Sequence, residues 1–432
     1  MMKHKTPPIM LAIATLLCSC SNEPIAPKES AITNEITHKT KEEVLIDKAI
    51  KARNFFYTSE SRSSTTKATV SHYILNESRS TPDTVLSVVN FNENNGFVIL
   101  TNRADCPELL AISDNGNIQL DDIDNPSLRQ FIDGAIANLS NKPTRDITPL
   151  DPTRPYLYEF VDEYDTIYNV SPMIDVRWGQ SYPYNTYCPI QNGIRTPAGC
   201  GPTAAAQIMT HYQHPKSFVW DLDEDGISKN TSLDWDKILQ HKSSGTQRLM
   251  VECWCNNETH TIIGKLIRKL GDKMNAVYYP TETRTTLGSI RNALQEYGYR
   301  VSHPTAFGSD SKASTFNGSS IWIVIGTHTN ANENNQQYSH FFVVDGRKYI
   351  IHHHESYIAD PSFTPPLIIE YDEYYTEYLD YIHINWGWDG TANGYYYNGT
   401  YDSRNPHSLD FPAGGNENFN FTTGLYYITV SH

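Results

Sequence analysis

Cys200 heads the run Gly199-Cys200-Gly201-Pro202-Thr203-Ala204-Ala205-Ala206-Gln207-Ile208-Met209. The alanines predict a helix, with Pro202 suited to its first turn. Backbone N–H groups at a helix start lack intrahelical partners and carry partial positive charge. A thiol placed there has a lowered pKa and is readily the thiolate. A thiolate is the nucleophile that covalent catalysis needs. The same residue types also suit a small buried cysteine in an apolar helix. Two segments further along bear on that choice. His340 opens the β-branched run Phe341-Phe342-Val343-Val344, expected to end in a turn at Asp345-Gly346. Asn385-Trp386-Gly387-Trp388-Asp389-Gly390 follows the strand-like stretch Tyr381-Ile382-His383-Ile384. A histidine would take the thiol proton, and an asparagine would hold the imidazole in its useful tautomer.

His340 follows Cys200 by about 140 residues, and Asn385 comes later still. That order, with a separation of about 130–150 residues, is similar to papain-like enzymes. Gln180 precedes Cys200 by about twenty residues. Papain-like enzymes use such a glutamine as a side-chain donor to the oxyanion, beside the cysteine's own N–H. One donor of this kind supplies about 3 kcal/mol of barrier reduction. A surface glutamine in a Tyr/Pro loop is the plain alternative.

Further motifs point to one family. Trp178-Gly179-Gln180-Ser181-Tyr182-Pro183-Tyr184-Asn185, Cys188-Pro189, Thr196-Pro197-Ala198-Gly199-Cys200, Ala206-Gln207-Ile208-Met209 and Tyr212-Gln213-His214-Pro215 resemble the streptopain family of cysteine peptidases. So do His340 with its strand and Asn385-Trp386-Gly387-Trp388. Ala413-Gly414-Gly415 resembles the loop flanking the active site in that family. The resemblance covers the chain from about residue 165 to the end, and the region before it resembles the family's inhibitory pro-domain. It implies an α+β fold: a papain-like peptidase of two subdomains preceded by a small α+β pro-domain. It further implies broad endopeptidase action on proteins and peptides, with an apolar preference at the residue before the cleaved one. Cys200 and His340 would form the catalytic pair and Gln180 the oxyanion donor. Asn385 matches the third member by order. Trp386 would share the orienting work or shield the imidazolium from solvent. A papain-fold acyltransferase and a catalytically inactive binding protein are the competing readings.

Composition narrows the classes. A formal net charge of −15 argues against nucleic acid as a partner. Lys3 and Lys5 precede a short apolar run, Ile9 to Leu17, as in an export signal. The signal ends Leu17-Cys18-Ser19-Cys20, which resembles a lipoprotein cleavage box with Cys20 as the lipidated residue. An ordinary cleaved signal with two incidental cysteines is the alternative. The lipoprotein reading places the protein at the outer membrane or cell surface, held there by a lipid at Cys20 before activation. Cys106, Cys188, Cys200, Cys253 and Cys255 remain beyond the leader. Their odd number and the tight Cys253-Trp254-Cys255 spacing suggest no disulfide framework. Missing Cys-x-x-Cys pairs suggest no zinc site, and no cofactor is expected.

The expected organisation is a signal peptide over residues 1–20, a tether over 21–40 and an inhibitory pro-domain over 41–141. An activation linker at 142–155 and the peptidase domain at 156–432 complete it. In the pro-domain, helices are expected at Lys41 to Tyr57 and from Asn125 to about Leu139. Strands are expected at Ala68 to Leu75, Asp83 to Phe91, Gly96 to Thr101 and Leu109 to Ser113. The turn Asn92 to Asn95 is the proposed contact with the cleft. Four prolines mark the linker, and Arg145 is its best basic cleavage point, because proline follows Lys142 and Arg154. In the peptidase half, helices are expected at Ile262 to Val277 and Leu287 to Tyr297, followed by an antiparallel sheet. His352-His353-His354 reads as a polar edge or loop rather than a metal site, since neighbours on a strand point to opposite sides.

Overall fold

The computed structural model describes residues 40–57, 67–75, 83–92, 94–104, 106–123, 125–144, 157–223, 227–242, 257–307, 315–330, 336–360, 362–363, 366–398 and 426–432. The leader with Cys20, the tether up to residue 39, most of the linker including Arg145, Cys253, Cys255 and the 413–415 glycine loop lie outside the described residues.

The N-terminal module comprises α1 (Lys41–Phe56), β1 (Ala68–Leu75), β2 (Asp83–Phe91), β3 (Phe97–Leu100), β4 (Leu109–Ser113) and α2 (Pro126–Leu139). Thr40 and Glu43 form a reciprocal capping box that starts α1. The Asn125 side chain accepts from Leu128 N at 3.2 Å, which starts α2. The four strands form an antiparallel meander. Its two faces bury different residues, as a period of two requires. Val88, Phe97 and Ile99 pack with Phe131 and Ile132 of α2. Val89, Val98 and Leu100 pack with Ala49, Ala52 and Phe56 of α1.

The C-terminal half opens with β5 (Leu157–Val170), a short ladder of β6 (Ile190–Gln191) and β7 (Ile194–Arg195), and α3 (Cys200–Tyr212). Next come β8 (Ser217–Trp220), β9 (Lys229–Ser232), α4 (Trp235–Ile238), α5 (Asn257–Lys273), β10 (Val277–Tyr278), β11 (Thr283–Arg284) and α6 (Leu287–Glu296). The remainder is β12 (Arg300–Val301), β13 (Thr305–Ala306), β14 (Ile321–Asn330), β15 (Gln336–Asp360), β16 (Leu367–Asn385), β17 (Gly394–Tyr397) and β18 (Tyr426–Ser431). Helices lead and an antiparallel sheet follows, so the fold is α+β as expected.

One sheet runs through both halves, in the order β1-β2-β3-β4-β17-β16-β15-β14-β18-β12. Its junction is the β4–β17 ladder, where Gly394 faces Ser113 and Tyr396 faces Ala111. Alternation along β14 and β15 splits their side chains between two cores. Ile321, Ile323, Phe341 and Val343 pack under α3, α5 and α6. Trp322, Val324, Phe342 and Val344 share the core that holds α2 of the N-terminal module. The module therefore packs against this sheet from the face opposite α3.

Three expectations need correction. Asp345-Gly346 is no turn: β15 continues through it with a register shift between Val344 and Gly346. Asp345 is fully buried, and its carboxylate accepts from Ile174 N at 2.9 Å and contacts His383 Nδ1 at 2.6 Å. A Cβ at position 346 would lie 2.9 Å from His383 Cβ and 3.0 Å from Val170 O, so glycine permits the close approach. β5 was not foreseen at all, because acidic residues interrupt its apolar ones. The three histidines are not at an edge: they sit inside β15, between β5 and β16.

Candidate active site

α3 positions the cysteine. Gly199 precedes it at φ 95°, a conformation that side-chain-bearing residues rarely adopt. A Cβ there would also lie 2.9 Å from Thr283 Cγ2. The helix from Gly201 to Thr210 is buried on all sides, and small residues let α5 and α6 come close. Cys200 alone at its head is partly exposed.

His340 is buried beside the Cys200 thiol, close enough that each side chain shifts the ionisation of the other. Burial pushes the Cys200 thiol up. The adjacent imidazolium, its hydrogen bond and the N–H groups of Phe341 and Gly201 outweigh this, so the net shift is downward. Burial pushes His340 down. The thiolate, its hydrogen bond and the Trp386 carbonyl outweigh this, so the net shift is upward. Both directions favour the thiolate–imidazolium pair.

The other ring nitrogen, His340 Nε2, lies 2.8 Å from the Trp386 backbone oxygen. A carbonyl only accepts, so Nε2 carries a proton and Nδ1 is left for the thiol. The Trp388 ring meets the imidazole edge to face at 5.6 Å. Trp386 is 1% exposed; its indole N–H donates to Ala392 O, and its ring meets Phe342 and Tyr396. It therefore contributes a carbonyl and a buried wall.

Asn385 departs from its expected part. Its amide donates to Val176 O at 3.0 Å and Gln207 Oε1 at 3.1 Å, and its oxygen accepts from Gly387 N at 3.1 Å. It ties the tryptophan loop to neighbouring chain, while the bond to the imidazole comes from the next residue's backbone. A backbone carbonyl has no side-chain signature, so sequence order alone pointed to the asparagine.

Gln180 is partly exposed, and its backbone oxygen accepts from Ala198 N at 2.8 Å, two residues before the cysteine. The adjoining Gly179 oxygen accepts from Thr203 Oγ1 at 3.3 Å, and Trp178 O accepts from Asp389 N at 3.3 Å. Gln207 was missed as a site residue because it reads as a helix former. It is fully buried, and its Oε1 accepts from both Trp178 N (3.0 Å) and Asn385 Nδ2 (3.1 Å). One side chain thus joins α3, the glutamine loop and the tryptophan loop.

The N-terminal module reaches this tryptophan loop. Ser113 Oγ donates to Asn393 O at 2.6 Å, and Ala392 N donates to Asn115 O at 3.3 Å. The expected turn at Asn92 bonds within the module: Arg53 donates to Asn95 O and Gly116 N donates to Asn94 O.

The Peptidase C10 family model matches residues 178–396, and the Spi protease inhibitor model matches residues 36–136. Streptopain of Streptococcus pyogenes serotype M1 is 22% identical over 354 residues, which cover 75% of this chain and 76% of that protein. The thiol protease/hemagglutinin PrtT of Porphyromonas gingivalis is 21% identical over 390 residues, covering 84% of this chain and 39% of PrtT. A prointerpain A fragment of Prevotella intermedia aligns at a TM-score of 0.49 with 17% identity, over 84% of this chain and 98% of the fragment. The first match spans half of the chain and contains Cys200, His340, Gln180, Asn385 and Trp386. This chain belongs to the Peptidase C10 family of cysteine peptidases, with a Spi-type inhibitor module ahead of its catalytic half.

Proposed function

We propose that the protein is an exported cysteine endopeptidase made as a zymogen, with Cys200 and His340 as its catalytic pair. The observation that carries this is His340, buried beside the partly exposed Cys200 thiol with its Nε2 held 2.8 Å from Trp386 O. The Cys200 thiolate attacks the peptide carbonyl carbon, and the carbonyl electrons move onto oxygen. Gln180 and the Cys200 N–H donate to that oxyanion. His340 then gives its Nδ1 proton to the leaving amine as the C–N bond breaks. Water, deprotonated by the same imidazole, releases the acyl group and regenerates the pair. The Trp386 carbonyl stabilises the imidazolium throughout.

In this reading the N-terminal module is the intramolecular inhibitor. Its support is the shared sheet, the common core and the contacts of Ser113 and Asn115 with the tryptophan loop. Cleavage within residues 142–155 would release the peptidase. Export and a lipid anchor at Cys20 rest on the leader's sequence. Among the described residues, no helix is long and apolar enough to cross a membrane.

The test is casein turnover by purified protein with and without an irreversible thiol-directed inhibitor, beside Cys200→Ala. The inhibitor and the substitution should each abolish turnover while the far-UV spectrum stays unchanged. Residual turnover in Cys200→Ala would refute the nucleophile.

A further inference from the structure

A second constellation lies in the C-terminal half, far along β15 from the catalytic pair. His352 follows His340 by about twelve residues, roughly 40 Å of extended strand. His352 and His354 project to one face of β15, as residues two apart on a strand do. Across the β5 ladder His354 is directly opposite Asp162, and across the β16 ladder His352 is opposite Glu377. Three neighbouring strands thus bring two imidazoles and two carboxylates to one spot.

The spot is closed to solvent. Both histidines are 2% exposed, and the Asp162 side chain is 1% exposed. Asp162 Oδ1 lies 3.0 Å from His352 Nε2 and 2.6 Å from His354 Nδ1. One donor atom from each of the three residues falls within 4.8 Å of the others. The second carboxylate oxygen, Asp162 Oδ2, is buried with no hydrogen-bond partner. His352 Nδ1 lies 3.5 Å from Glu377 Oε2. Tyr164 stacks on His352 at 4.6 Å and Tyr375 on His354 at 4.8 Å, which fixes both rings.

We propose that Asp162, His352 and His354 bind one divalent transition-metal ion of the zinc class, as a clamp between β5 and β15. Two imidazoles and a carboxylate are a borderline-soft donor set that suits such an ion and leaves a fourth position open. Glu377, 3.5 Å from the far nitrogen of His352, stands where metal-bound histidines have the outer carboxylate that fixes their tautomer. Ligand bonds of about 2.0–2.2 Å need the two Asp162–histidine distances to widen slightly on binding. The ion would also occupy Asp162 Oδ2, whose burial without a partner is otherwise costly. All the ligands belong to the C-terminal half, and β5 is its first strand. The clamp would therefore stay with that half and hold its leading strand in place once the N-terminal module is removed. That role rests on the zymogen reading; the binding site does not.

The test uses the full-length chain carrying Cys200→Ala, Cys18→Ser, Cys20→Ser, Cys253→Ser and Cys255→Ser, which removes the nucleophile and leaves only the buried Cys106 and Cys188 as thiols. After stripping with a chelator, the protein is exposed to Zn2+ and desalted, and bound metal is counted by mass spectrometry. One equivalent should be retained, with a rise in the thermal midpoint. His354→Gln and Asp162→Asn should retain none, and Glu377→Gln should bind about tenfold more weakly. If the ligand variants fail to fold, the Co2+ form of the parent decides. Strong visible bands of four- or five-coordinate Co2+ support the site, and weak bands of the aqueous ion overturn it. No retained Zn2+ in the parent, or equal retention in folded His354→Gln, would show that the cluster holds only protons.

Discussion

Gln207→Met isolates the joint that assembles the site. Methionine fills nearly the same volume, so no cavity opens. The substitution removes the acceptor shared by Trp178 N and Asn385 Nδ2. Trp178 N is left buried without a partner, which costs about 1–3 kcal/mol, and one lost bond to Asn385 adds about 1 kcal/mol. Gln207 Nε2 is itself buried without a hydrogen-bond partner, so its removal returns part of that loss. The net expectation is a destabilisation of ~2 kcal/mol, read by denaturant unfolding in a Cys200→Ala background. Gln207 touches no reacting atom and acts by placing the Trp178–Gln180 loop. kcat should therefore fall about tenfold with KM little changed, less than the roughly 100-fold loss expected for Gln180→Ala. In a Gln180→Ala background the same substitution should change kcat by under about twofold, because the group it positions is gone. Unchanged stability, or an equal tenfold loss in both backgrounds, would refute the reasoning.

Asn385→Ala should lower stability by about 3 kcal/mol, seen as a shifted unfolding midpoint, yet leave the pH dependence of Cys200 alkylation in place, since the imidazole is held by the Trp386 carbonyl. Gly199→Ala should destabilise by about 1–3 kcal/mol and slow turnover, because it forces an alanine to φ 95° against Thr283; wild-type stability would contradict the close approach. Cys20→Ser should abolish palmitate labelling and move the protein out of the membrane fraction; unchanged labelling would show that Cys20 is not the anchored residue, and no labelling in either protein would point to ordinary signal cleavage.

The elements that alternate or cap cleanly were legible in the sequence. β1, β2 and β4 fall on the expected residues, α1 and α6 begin at the expected Lys41 and Leu287, and α2 begins where Asn125 caps it. The long β15–β16 hairpin was not legible. Asp345-Gly346 carries the composition of a turn, and only its burial against Ile174 and His383 shows a bulge. His352 and His354 look like solvated residues until β5 supplies Asp162 across the ladder. At the proposed site, residue types point to the cysteine and histidine because the chemistry proposed for them is side-chain chemistry. The imidazole's partner is a backbone atom, and the polar joint at Gln207 sits in an alanine-rich helix. Neither has a pattern that a chain alone displays.

If Cys200 and His340 share a proton, the rate of Cys200 alkylation against pH will show it. A free thiol becomes reactive only near its pKa of about 8.5. The pair lowers the thiol and raises the imidazole. Thiolate should therefore persist as pH falls to the lowered thiol pKa. Peptide hydrolysis should decline as pH rises through the raised imidazole pKa, where the acid for the leaving amine is lost. The processed enzyme should show a plateau of fast alkylation through neutrality. His340→Ala should lose that plateau and react only at the alkaline end, because burial then acts on the thiol without the cation. Superimposable profiles for the two proteins would contradict the account.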